Sequence, residues 1–297
     1  REVVSGRAQP FCLIGERINP TGRTAFAEHL RAGDLSPVEI DVAQQVAGGA
    51  TMLDVNMGVP LADEAELLAR AVALVQELTD LPLVIDSSVV EALEAGLAAY
   101  QGKALVNSVT GERERLDAIL PIVKRHGAAV IALPNEEDEI PAEPQKRLDI
   151  TRKIIDIAAG EYEIPIEDLV IDPLAMPVGA DTSLVRTTLR TIELIREEFG
   201  VNTTLGAGNV SFGMPNRPAL GAAFLPMAMT CGLTSAIMDV RSPQMVDAVK
   251  AAGGPELDRR RVELPGHIKS VGQYKVSVRL HPEVTATFSL NVVAAKK

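Results

Sequence analysis

The 297-residue chain predicts an α/β fold, a TIM (β/α)8 barrel with a small C-terminal α+β or β appendage. Three observations carry this expectation. Eight short Val/Ile/Leu-rich runs end in polar residues, as parallel strands buried on both faces do. Helical patterns fill the gaps between them, and eight strand–helix units in about 250 residues make one barrel. Beyond about residue 252 the pattern changes to alternation of polar and apolar residues.

The eight runs are FCLIGERIN (11–19), TMLDVN (51–56), LPLVIDSS (81–88), KALVNSV (103–109), AAVIALP (128–134), DLVIDP (168–173), NTTLGAGN (202–209) and TSAIMDV (234–240). Helices are expected at 64–79, 90–100, 112–127, 181–200 and 218–232, the last despite Pro226. Gly127, Gly200 and Gly232 fall where C-terminal caps belong. An open doubly wound sheet should carry G-x-G-x-x-G after its first strand, and this chain has GERINPTG there. Residues 1–252 therefore form the expected barrel domain and 253–297 a small basic module. In that module YKVSVRL (274–280) and ATFSLNVV (286–293) alternate as half-buried, antiparallel strands do. Val276, Val278, Leu280, Phe288, Leu290 and Val292 are its expected apolar core.

Composition narrows the function. With 46% apolar and 23% charged residues the chain is an ordinary globular one. No apolar run approaches the ~18 residues of a membrane span. The opening REVVSGRAQPF lacks the apolar core of a signal peptide. Two cysteines, Cys12 and Cys231, make no disulfide framework, so a reducing cytoplasm is expected. Residues 253–297 carry eight basic and four acidic side chains, a charge of +4, which leaves −15 on 1–252. Nucleic acid is thus no partner for the barrel. The basic tail is compatible with an RNA-facing module or with a solvated β cap.

Barrel active sites are built at the C-terminal ends of the strands. Those ends supply Glu16, Asn19, Asp54, Asn56, Asp86, Ser87, Asn107, Asp172 and Asn209. The set is one of carboxylates and amides, without imidazole or thiolate, so no transition-metal site is expected. Mg²⁺ on two carboxylates is not demanded by the pattern. Such a set suits a flat heterocycle with adjacent N–H donors. A pterin presents N3–H and a 2-amino group in one plane, and a single carboxylate accepts both. A wrong ligand leaves these buried acceptors unpaired, which makes them selective.

GERINPTG, MLDVN, IDSS, LVNSVTGE, VIDPLAMPVG and GAGNVSFGMPNRP occur in this order. Together they resemble the methyltetrahydrofolate:corrinoid methyltransferases, including the folate module of cobalamin-dependent methionine synthase, over about residues 10–250. The resemblance implies a TIM barrel and a methyl transfer between N5 of tetrahydrofolate and the cobalt of a corrinoid protein. It implies methyltetrahydrofolate or tetrahydrofolate as substrate and a corrinoid carried by a partner protein, since no D-x-H-x-x-G motif occurs here. It leaves a homodimer open. By the same resemblance Asp86, Asn107 and Asp172 hold the pterin, with Glu16 and Asn19 lining its pocket. Gly206 belongs to the binding loop, Asn209 reaches N5, and Arg217 lies nearby to position the folate. This chain has Gly208 where the family usually has Ser, which removes one hydrogen bond from that loop.

The tail 257–293, and IKSVGQYKVSVRLHPEV above all, resembles the C-terminal domain of the ninth protein of the bacterial large ribosomal subunit, beginning near residue 250. Two other readings follow. One is a non-catalytic, folate- or ribosome-associated binding protein. The other is a dihydropteroate synthase-like enzyme, disfavoured because NPTGRTAF and NVSFG stand where that family has N-x-T-x-D-S-F-S and S-R-K.

Overall fold

The computed structural model describes residues 2–136, 140–253, 262–263, 270–281 and 284–292. The chain divides into two compact units, Arg1–Gly253 and Gly254–Lys297.

The first unit is the expected barrel. Its strands are β1 (Cys12–Ile18), β2 (Met52–Asn56), β3 (Leu83–Asp86), β4 (Leu105–Thr110), β5 (Ala129–Leu133), β6 (Leu169–Ile171), β7 (Asn202–Thr203) and β8 (Ser235–Met238). They pair in parallel, each with its sequence neighbour, and β1 also pairs with β8. The seventh run, expected as a strand over 202–209, is ladder only at its first two residues. Closure comes from the irregular stretch beyond it. The Ile237 N–H donates to the Leu205 carbonyl and the Ala207 N–H to the Ile237 carbonyl, both at 2.9 Å, around a Gly206–Ile237 bridge.

The helices are α1 (Thr24–Arg31), α2 (Ser36–Ala47), α3 (Glu64–Leu78), α4 (Val90–Ala99), α5 (Arg113–His126), α6 (Pro144–Gly160), α7 (Ser183–Glu198), α8 (Arg217–Cys231) and α9 (Pro243–Ala252). The five expected from sequence match to within two residues at each end. Asp63 caps α3 by accepting the Glu66 N–H at 3.0 Å, and Leu67, Leu68, Ala71, Val72 and Val75 form its buried stripe. Gly127 ends α5 in the left-handed region at φ 61°, where a Cβ would be strained. The helices α1, α2, α6 and α9 lie in stretches where no helical pattern was singled out. In α6 the apolar stripe of Leu148, Ile154, Ile155 and Ala158 is interrupted by Arg147 and Thr151, both of which the fold buries.

The barrel has two apolar cores. The larger lies between strands and helices; the smaller, of Cys12, Ile14, Val84, Leu105, Ile131 and Val170, fills the barrel itself. Each such side chain contributes about 1.5–3 kcal/mol on burial. No helix among the described residues is long and apolar enough to cross a membrane.

The second unit holds a three-stranded antiparallel sheet in the order β11 (Val284–Val292), β10 (Gly272–His281), β9 (Val262–Glu263). Its register pairs Val276 with Phe288 and Tyr274 with Leu290. No helix of this unit occurs among the described residues, so the α+β alternative has only β elements to show there. The side chains of the six expected core residues lie outside what is described.

Candidate active site

Strand side chains alternate between faces. Two residues beyond the apolar plug, on the same face, stand Glu16 after Ile14, Asp86 after Val84, Asn107 after Leu105 and Asp172 after Val170. Met52 and Ile237 pack against the same plug, and the same count leads to Asp54, Asn56 and Asp239. A polar layer thus caps an apolar one at the C-terminal mouth. Asn56 is in register with Asp86, and Asp86 with Asn107.

These groups bond to one another. Asn56 Nδ2 donates to Asp86 Oδ2 at 3.0 Å, and Asn107 Nδ2 to Asp54 Oδ1 at 3.5 Å. Ser87 Oγ donates to Glu64. Asp54 is 2% exposed, and burial together with the nearby Asp86 charge holds its carboxyl well above the usual range. Burial pushes Asp86 up to about 6, with the Asn56 hydrogen bond opposing it and Glu64 adding to it. Burial raises Glu16 to about 7, helped by Asp239 and opposed by Arg17, Arg217 and Arg241. Asp172 also rises to about 7 through burial, against a hydrogen bond from Leu174 and the charge of Arg147. Four carboxyls whose acidity burial weakens thus gather at one end of the barrel, the kind of cluster found at functional sites.

Asp172 stands apart from the rest, on β6, two strands beyond β4. Its Oδ1 accepts the Leu174 N–H at 2.8 Å, and no donor among the described residues reaches its Oδ2. Asn19 shapes the loop after β1, its Oδ1 accepting the Thr21 N–H at 2.9 Å. The exposed Asn209 begins a short 3-10 turn, Asn209–Ser211. A Cβ on Gly206 would lie 3.0 Å from Asn209 Nδ2, so the amide folds back over that glycine. Arg217 opens α8 and ties the same loop, with Nη2 donating to the Gly208 carbonyl at 2.9 Å. A cleft of about 1110 Å³ opens beside the mouth, lined by Gln44, Asn216, Asp239 and Arg241 among others, and Asp86, Asn107 and Asp172 lie outside it.

Asp54 and Asn56 are strand-end residues to which the sequence assigns no ligand role. Asp239 is absent from the sequence-predicted set, although the count of two from Ile237 reaches it. His29 and His126 pair with surface acids, at 2.7 Å to Asp34 and 2.9 Å to Glu94.

Fold and mouth together define a parallel β/α barrel with a layer of acids and amides at the C-terminal ends of its strands. The chain belongs to the pterin binding enzymes, whose family profile matches residues 15–239. It is 30% identical over 245 residues to the methylcorrinoid:tetrahydrofolate methyltransferase of Eubacterium limosum, covering 80% of this chain and 89% of that protein. It is 34% identical over 241 residues to the methionine synthase of Mycobacterium tuberculosis, covering 76% of this chain but only 20% of that longer protein. Among solved structures, dihydropteroate synthase of Xanthomonas albilineans with 4-aminobenzoic acid superposes with a TM-score of 0.62 at 20% identity, over 82% of this chain and 92% of that one. That likeness concerns the fold. Residues 239–294 match the C-terminal domain of ribosomal protein L9. This match starts earlier than the tail motifs suggested and takes in α9, which packs on α8 within the first unit.

Proposed function

We propose that the barrel, residues 1–252, is a methyltransferase acting between N5 of tetrahydrofolate and the cobalt of a corrinoid carried by a partner protein. The observation that carries this is the acceptor layer of Asp86, Asn107 and Asp172 above the barrel plug, in a chain 30% identical to a methylcorrinoid:tetrahydrofolate methyltransferase. A pterin fits those groups chemically. The unpaired Oδ2 of Asp172 accepts ring N–H donors, and Asn107 completes a mixed donor and acceptor edge.

In the direction away from folate, the N5–CH₃ bond breaks as the carbon bonds to reduced cobalt, and N5 takes up a proton. A neutral amine is a poor leaving group, so N5 needs a donor in the transition state. Asn209 has no proton of suitable acidity to give. It donates a hydrogen bond and fixes N5, while solvent supplies the proton. Glu16 and Asn19 line the pterin pocket, Gly206 belongs to the binding loop, and Arg217 positions the folate. We place the protein in the cytoplasm, which the free cysteines Cys12 and Cys231 suit. The tail, 253–297, is a separate module with no part in the folate site.

The test is titration with methyltetrahydrofolate followed by methyl transfer to free cob(I)alamin. Saturable binding with transfer supports the reading. Binding without transfer makes the chain a folate-binding protein, and condensation of a pterin pyrophosphate with 4-aminobenzoate makes it a dihydropteroate synthase.

A further inference from the structure

Arg147 sits near the start of α6 and is 0% exposed. Its Nε donates to the Pro141 carbonyl at 2.7 Å. Its Nη1 donates to the carbonyls of Pro173 at 2.6 Å and Leu174 at 2.8 Å. Among the described residues no carboxylate bonds to it and its Nη2 has no acceptor. An arginine buried on carbonyls alone is costly, because burial strips the charge of water without giving it an ion pair.

Two of the three carbonyls it grips belong to Pro173 and Leu174, the residues that follow Asp172. Leu174 adopts φ 63°, in the left-handed region that a leucine avoids. The Leu174 N–H donates back to Asp172 Oδ1 at 2.8 Å, closing the turn over the aspartate. Thr188 Oγ1, from α7, also donates to the Leu174 carbonyl, at 3.0 Å. The turn is therefore held on its carbonyl side by α6 and α7, and it holds one oxygen of Asp172 while leaving the other without a protein donor.

We infer that Arg147 is a positioning residue for pterin recognition, its guanidinium fork locking the Asp172–Leu174 turn so that Asp172 Oδ2 is presented to the ligand. The inference rests on the methyltransferase reading for the identity of that ligand. The role is one for a rigid, planar fork; a lysine reaches as a single point charge and holds one carbonyl of the three.

The test measures methyltetrahydrofolate affinity and the transfer rate at saturating folate for the full chain, for Arg147→Lys and for Arg147→Met. The expected result is an affinity weaker by about 10-fold in R147K and about 100-fold in R147M, with saturated rates within about 2-fold of the parent. The partial rescue by lysine and the loss confined to binding separate positioning from bulk stability. Folded variants that bind with the parent's affinity overturn the inference, even if they melt earlier. Should R147M not fold, R147K alone decides by the same criterion. A parent chain that binds no pterin overturns the functional reading as well; a parent that binds, with unchanged variants, overturns only the role of Arg147.

Discussion

Asn56 Nδ2 donates to Asp86 Oδ2 at 3.0 Å across the β2–β3 pair. The amide pulls the Asp86 pKa down against the burial that lifts it to about 6. Removing the amide should raise that midpoint further. Asn56→Ala should therefore bind folate more weakly than the parent near pH 6 and recover toward pH 8. Isothermal titration at several pH values reads this; a uniform loss at every pH would assign Asn56 to shape alone.

Folate affinity in the parent should rise with pH. The pterin donors need ionised acceptors, and Asp86 and Asp172 ionise at about 6 and about 7. Binding constants measured between about pH 5 and 8 should climb through that window. A flat profile would mean that neither carboxyl meets the ligand.

The same burial acts on stability with the opposite sign. Asp54, Asp86, Asp172 and Glu16 are harder to ionise in the folded chain than in the unfolded one. Between their ordinary values and their raised ones the folded state holds more protons, so the contribution of Asp86, Asp172 and Glu16 is full below about pH 4 and is lost as pH rises through about 6–7, and that of Asp54 falls in the same direction. Asp54→Asn keeps an acceptor for Asn107 and removes one buried charge. It should raise Tm at pH 8 and change it little at pH 5, as scanning calorimetry of both proteins would reveal.

Asp172→Ala should weaken methyltetrahydrofolate binding by about 2–4 kcal/mol, because the pterin donors lose a charged acceptor. An unchanged binding constant removes Asp172 from the site.

Asn209→Ala should lower the saturated transfer rate more than it lowers folate affinity. Its hydrogen bond strengthens as N5 gains charge, so the loss falls on the transition state. Equal losses in stopped-flow transfer and equilibrium binding would make it a plain binding residue.

A chain ending at Gly253 should keep folate binding, and one ending at Met238 should lose solubility. The reason is α9, which packs on α8 with Met245, Val246 and Val249 buried, although the L9 match begins before it. A folded chain ending at Gly253 that no longer binds folate would show that the tail helps to build the site.

The barrel was legible in the sequence because each strand's run is short, apolar and closed by polar residues, and local periodicity needs no partner to be read. Asp86, Asn107 and Asp172 were legible as strand ends for the same reason. Asp239 is within reach of a count of two from Ile237, but only the shared plug shows which residues of seven separate strands face one another. The short β7 and the closure through Gly206 depended on β8 lying alongside, a pairing of residues some 30 positions apart. Arg147 was hidden for the plainest physical cause. An arginine in a helix sequence reads as solvent-facing, and its burial exists only once α6 has packed beside α7 and the turn after β6 has supplied the Pro173 and Leu174 carbonyls for its charge.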